Sequence, residues 1–65
     1  MKGEIIKWFA DKGYGFVKGT DDISYFVHCK QIMNGEEPDV GTMVKFTAVT
    51  TDKGEQAHNV VILDG

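Results

Sequence analysis

The chain has 65 residues, 42% hydrophobic and 26% charged, with seven basic residues (all lysine), ten acids and a formal net charge of −3. That length allows one small domain, spanning 1–65, and excludes a large buried core. No disulfide can form from the lone Cys29, no apolar run approaches the roughly 20 residues of a membrane helix, and Cys29, His28 and His58 lack metal-ligand spacing.

Taken in order, β-branched and aromatic runs recur with turn signals between them, while helical periodicity is hard to find. The first run is Glu4–Phe9, "EIIKWF", closed by "ADKG". The second is Lys12–Lys18, "KGYGFVK", followed by the Gly/Asp turn "GTDD". The third is Ser24–Cys29, "SYFVHC", and a loop follows whose start, Lys30–Met33, suits one short helical turn. The fourth is Met43–Thr50 and the fifth Ala57–Leu63, separated by "TDKGE". Five short strands in so small a chain predict an all-β closed or nearly closed barrel, because closure removes the unpaired edges that invite aggregation.

Alternation divides the strands into faces. In the third strand Tyr25, Val27 and Cys29 share one face and Phe26, His28 and Lys30 the other. In the fourth, Val44, Phe46 and Ala48 suit the interior and Met43, Lys45 and Thr47 the exterior. With Val17 and Val27 pointing inward, Tyr14 and Phe16 stand outside, beside Phe26 and His28, with Lys12, Lys18 and Lys30 around them. The opposite assignment makes the rings ordinary core, but it drags those three lysines inward at a severe desolvation cost. Exposure is therefore expected, and an exposed ring platform edged by cations suits a stacking partner. Gly13 and Gly15 would leave the rings uncrowded and let the strand coil.

These residues resemble the cold shock protein and cold shock domain family. "KGYGFV" is similar to its first ribonucleoprotein motif and "YFVH", Tyr25–His28, to its second. "KWF" before "DKG" resembles the first-strand signature, and "KGEQAHNV", Lys53–Val60, the opening of the last strand. The resemblance implies a five-stranded antiparallel OB-type Greek-key barrel that binds single-stranded RNA and DNA. It also implies a role as an RNA chaperone or antiterminator. A monomer is expected, with a strand-exchanged dimer as the alternative in so small a fold. By position it assigns stacking to Tyr14, Phe16, Phe26 and His28, and phosphate or base contacts to Lys7, Lys12 and Lys53.

Three departures from the family pattern stand out. Cys29 replaces the aromatic that often follows the histidine, and the loop "MNGEEPDVG" is short, acidic and free of aromatics. Only "AD" separates "WF" from "KG", where three residues are common. The first two departures predict fewer bound bases and weaker affinity than is usual in the family. The third leaves open whether Trp8 or Phe9 takes the first-strand stacking position; Trp8 is favoured, with a bulge able to expose both.

A Cys29–His28 catalytic dyad is not expected, since neighbours in a strand face opposite ways, and no enzyme activity, cofactor or small-molecule substrate is expected either. Glu36 and Glu37 read either as a solvated loop or as charge that repels duplex phosphate. A protein-interaction module using the same aromatic face is the alternative function. The lone cysteine and the lack of a basic-then-apolar leader at Met1 fit a cytoplasmic protein.

Overall fold

A computed structural model describes residues 1–33 and 35–63. The loop position Asn34 and the C-terminal Asp64 and Gly65 lie outside the described residues. The strands are β1 (Lys2–Phe9), β2 (Tyr14–Gly19), β3 (Ser24–His28), β4 (Met43–Thr51) and β5 (Gly54–Ile62), with a 3-10 turn at Cys29–Gln31. They close into a barrel in the order β1-β2-β3-β5-β4.

The five-stranded OB-type barrel is as expected, with one difference in strand sense. All hairpin pairs and the β1–β4 pair are antiparallel, whereas β3 and β5 close the barrel through a parallel contact, Phe26 beside Gln56. The reason is topological: the long connection after β3 lets β4 return along β1, so β5 arrives beside β3 running the same way. Among the described residues no helix is long and apolar enough to cross a membrane.

The core is Ile5, Val17, Tyr25, Val27, Ile32, Val44, Phe46, Ala57 and Val60. Val17, Tyr25, Val27, Val44 and Phe46 lie inward as alternation requires. Ala48 does not follow: it pairs with buried Ala57 but is exposed, so the β4 contribution to the core ends at Phe46. The β4–β5 ladder slips between Lys45 and Thr47, where β5 carries an extra residue around Asn59, whose φ is 50°. That bulge explains why the buried β5 residues, Ala57 and Val60, are three apart rather than two.

Tyr25 ties the core to the β2–β3 turn. Its ring packs against Phe46 at 5.2 Å, and its hydroxyl donates to Asp21 Oδ2. Asp21 Oδ1 also accepts from the Ile23 amide at 3.1 Å. The Tyr25 hydrogen bond holds the Asp21 carboxyl below its ordinary value of 3.8. The same bond, aided by burial and by the negative charges of Asp21 and Glu55, pushes the Tyr25 phenol up to about 12.

The two signs give different pH limbs. Asp21, lowered in the fold, contributes stability that is present above its unfolded pKa and lost as pH falls through the folded one. Tyr25, raised in the fold, contributes stability that is complete below 10 and lost as pH rises toward about 12. Melting curves from pH 9 to 12 therefore show a falling Tm for the native sequence and a flatter limb for Tyr25→Phe. Identical limbs would place the alkaline loss at some other group.

Candidate nucleic-acid interface

The site is built by the β2–β3 hairpin. Its register sets Tyr14 opposite His28 and Phe16 opposite Phe26, with Gly15 opposite Val27 and Val17 opposite Tyr25. Directly paired residues share a face, so Tyr14, Phe16, Phe26 and His28 stand together outside while Val17, Tyr25 and Val27 fill the barrel. The four are half-buried, as ring bases seated on a sheet should be.

The first strand extends this face, although not with the expected ring. The β1–β2 register shifts between Ile5 and Lys7, and beyond the shift Lys7 pairs with Phe16, Trp8 with Gly15 and Phe9 with Tyr14. The irregularity lets Ile6 and Lys7 both lie exposed after buried Ile5. From there Lys7 and Phe9 face outward with the platform and Trp8 faces the Gly15 side.

The favoured placement of Trp8 on the platform is therefore corrected. Trp8 is half-buried against the core, and its Nε1 donates to Glu37 Oε1 at 2.9 Å. It lines a cleft of about 270 Å³ with Ala10, Gly13, Cys29 and the Gly35–Glu37 segment. Phe9, 37% exposed, takes the outward place. Parity was the available signal: Lys7 and Phe9 share it, and a bulge ahead of Lys7 cannot bring Trp8 to the same face. The acidic loop, expected to be solvated or to repel duplex phosphate, supplies through Glu37 the hydrogen bond that holds the indole.

Four rings thus form a continuous row. Phe9 meets Tyr14 at 5.7 Å, Tyr14 meets Phe26 at 5.4 Å, and Phe26 meets Phe16 at 5.9 Å, with interplanar angles of 60°, 41° and 74°. Tilted and edge-to-face contacts suit the ring quadrupoles and leave ring faces available to other partners.

Cations border the row. Lys12 Nζ lies 5.9 Å from the centre of the Phe9 ring, and exposed Lys7 sits beside Phe16 in the register. Lys53 shares a pocket with Phe16 and Phe26. Lys18 is partly neutralised by Asp22, whose carboxylate is 3.4 Å away.

The end of β3 differs from the expectation in two ways. The strand stops at His28, and the helical turn begins at Cys29, one residue before the expected Lys30. His28 Nδ1 accepts from the Lys30 amide at 3.1 Å and so caps that turn. Cys29, expected inside, is exposed.

Because the chain has left the strand there, Cys29 Sγ comes to 3.7 Å from His28 Nδ1. Opposite strand faces therefore do not separate the thiol from the imidazole. The obstacle to a thiol–imidazole dyad is a different one: the Nδ1 lone pair already receives the Lys30 N–H and is not free to take the thiol proton.

The motif glycines meet demands of the backbone. Gly13, at φ 74°, closes the tight β1–β2 turn, in which Lys12 N and Gly13 N both donate to Phe9 O at 3.0 and 2.8 Å. Gly15 is buried beneath Trp8 where β1 crosses closely.

A closed five-stranded OB-type barrel bearing a ring-lined, lysine-edged outer face defines an OB-fold protein with a surface aromatic platform. The chain belongs to the "cold-shock" DNA-binding domain family, whose model matches residues 1–63. It is 44% identical over 64 residues to Cold shock protein 1 of Lactiplantibacillus plantarum, covering 94% of this chain and 97% of that one. It is 39% identical over 66 residues to Cold shock protein CspA of Staphylococcus aureus, covering 97% and 100%. Among solved structures, drosophila Unr CSD456 matches with a TM-score of 0.74 at 22% identity, covering 97% of this chain and 26% of that longer one. That last likeness speaks to the fold alone.

Proposed function

We propose that the protein binds single-stranded RNA and DNA by stacking bases on the row Phe9, Tyr14, Phe26 and Phe16, with His28 at its edge. The observation that carries this reading is the contact row itself, its neighbouring centres 5.4 to 5.9 Å apart on an outer face bordered by Lys7, Lys12 and Lys53. Every base has a π-face, so stacking tolerates sequence. Lysines at the border neutralise phosphates and release counterions. Duplex is excluded because its bases are already stacked on one another, so binding the open strand shifts hairpins toward melting.

The protein then acts as an RNA chaperone or antiterminator-like regulator of RNA structure in the cytoplasm, without nucleotide hydrolysis and as a monomer. Cys29 offers no ring, and no aromatic stands in the described part of the acidic loop. The platform is accordingly short, and its affinity lower than a fuller set of rings would give.

Calorimetric titration with hexathymidylate and with a duplex of the same length tests the reading. Binding of the single strand alone is expected, with a shallow salt dependence reflecting the few lysines of the border. No heat of binding at tens of micromolar, or a slope equal to about eight phosphate contacts, would overturn it. The first of those results would favour a protein partner for the same face.

A further inference from the structure

We propose that the pocket at the Phe16–Phe26 end of the platform is a guanine-selective base site, with Glu55 as the residue that reads the base. This rests on the single-strand binding just proposed and adds a base preference to it. The pocket, about 460 Å³, is lined by Phe16, Ser24, Phe26, Lys53, Glu55 and Gln56. The rings and Ser24 come from the outer face of β2–β3, and the parallel β3–β5 contact at Phe26 and Gln56 brings the polar residues beside them.

Two of its polar groups, Glu55 and Gln56, have their bonding partly fixed. Glu55 Oε2 accepts from Thr50 Oγ1 at 2.9 Å, a cross-strand bond that steadies the carboxylate. A carboxylate accepts at both oxygens and donates at neither. Gln56 Oε1 lies 3.0 Å from His58 Nε2. With the imidazole N–H donating to that oxygen, the Gln56 amide N–H groups remain as donors.

The pocket therefore offers a two-oxygen acceptor with an amide donor on the neighbouring residue, beside two rings. Guanine alone among the bases carries two adjacent donors, N1–H and N2–H, followed by the acceptor O6. A carboxylate can accept both N–H groups while an amide N–H meets O6, and a lysine is at hand for the phosphate. Uracil and thymine flank their one N3–H with two carbonyls, so one carbonyl oxygen must face the carboxylate. Adenine and cytosine each offer an amino group next to a ring nitrogen acceptor and satisfy one carboxylate oxygen at most.

Hexathymidylate and hexamers with a single deoxyguanosine are titrated calorimetrically against the native protein and Glu55→Gln. The substitution keeps an oxygen for Thr50 while replacing the other by an N–H donor, and a thermal melt checks that the barrel is intact. The guanine-containing hexamer is expected to bind about tenfold tighter than hexathymidylate. Most of that gain should vanish with deoxyinosine, which lacks the N2 amine, and in Glu55→Gln. Equal affinities for the two hexamers, or a preference that survives Glu55→Gln, would overturn the guanine site while leaving single-strand binding standing. If neither hexamer binds, single-strand binding itself fails and the base preference goes with it.

Discussion

Replacing Phe16 and Phe26 together by alanine is expected to weaken single-strand binding by roughly thirtyfold or more while the barrel stays folded. The magnitude follows from about 1–3 kcal/mol per stacked base, two platforms being removed at once. The persistence of the fold follows from where the rings sit. Both are half-buried on the outside, and neither belongs to the cluster of Ile5, Val17, Tyr25, Val27, Val44, Phe46 and Val60 that fills the interior. What the fold loses is two ring–ring contacts, at 5.4 and 5.9 Å, each worth about 0.5–1.5 kcal/mol beyond the buried area.

Calorimetric affinity and a thermal melt on the same samples separate the two effects. A variant that unfolds would show the rings to be core. In that event Phe16→Leu with Phe26→Leu, which keeps most of the apolar bulk and removes the π-faces, still isolates stacking. Undiminished binding by the leucine pair would refute the platform.

Gly15→Ala should do the reverse, damaging the fold through a residue that no ligand need touch. A Cβ at Gly15 would lie 2.2 Å from the Lys7 carbonyl oxygen, 2.6 Å from Trp8 Cε3 and 2.9 Å from Trp8 Cα. Two of those atoms are backbone of the paired strand, so relief requires β1 and β2 to move apart in the ladder that carries Lys7, Trp8 and Phe9. Overpacking of this kind costs about 1–3 kcal/mol, and in a domain this small each kcal/mol lowers Tm by roughly 4–8 °C. A fall of roughly 4–24 °C is expected, together with a changed Trp8 emission, because the indole is the first side chain displaced. A Tm within about 2 °C of the native value would mean that the strands are less closely apposed than the geometry describes.

The contrast between these substitutions shows what could be read before folding. The paired motifs "KGYGFV" and "YFVH" placed Tyr14, Phe16, Phe26 and His28 on one outer face. Strand alternation needs only local backbone geometry, and burying the interleaved lysines would be too costly. By the same alternation Val17, Tyr25, Val27, Val44 and Phe46 belong inside. Local patterning therefore determined the barrel class and the centre of the platform.

Alternation fails wherever a strand gains a residue or ends early. The shift between Ile5 and Lys7 turned Phe9 outward and Trp8 toward Gly15, the extra residue near Asn59 reset β5, and the end of β3 at His28 put Cys29 outside and against the imidazole. Each is a one-residue event, and in a structure of period two one residue inverts every side chain that follows. The Glu37 bond to the Trp8 indole spans 29 positions, and the pocket joining Phe16 and Phe26 to Glu55 and Gln56 depends on a parallel closure between strands far apart in the chain. By itself the sequence determined that this protein carries rings on a sheet face with lysines beside them. Only the tertiary structure decided that Phe9 rather than Trp8 completes the row and which polar groups stand at its end, because those outcomes depend on register and closure, which no short stretch encodes alone.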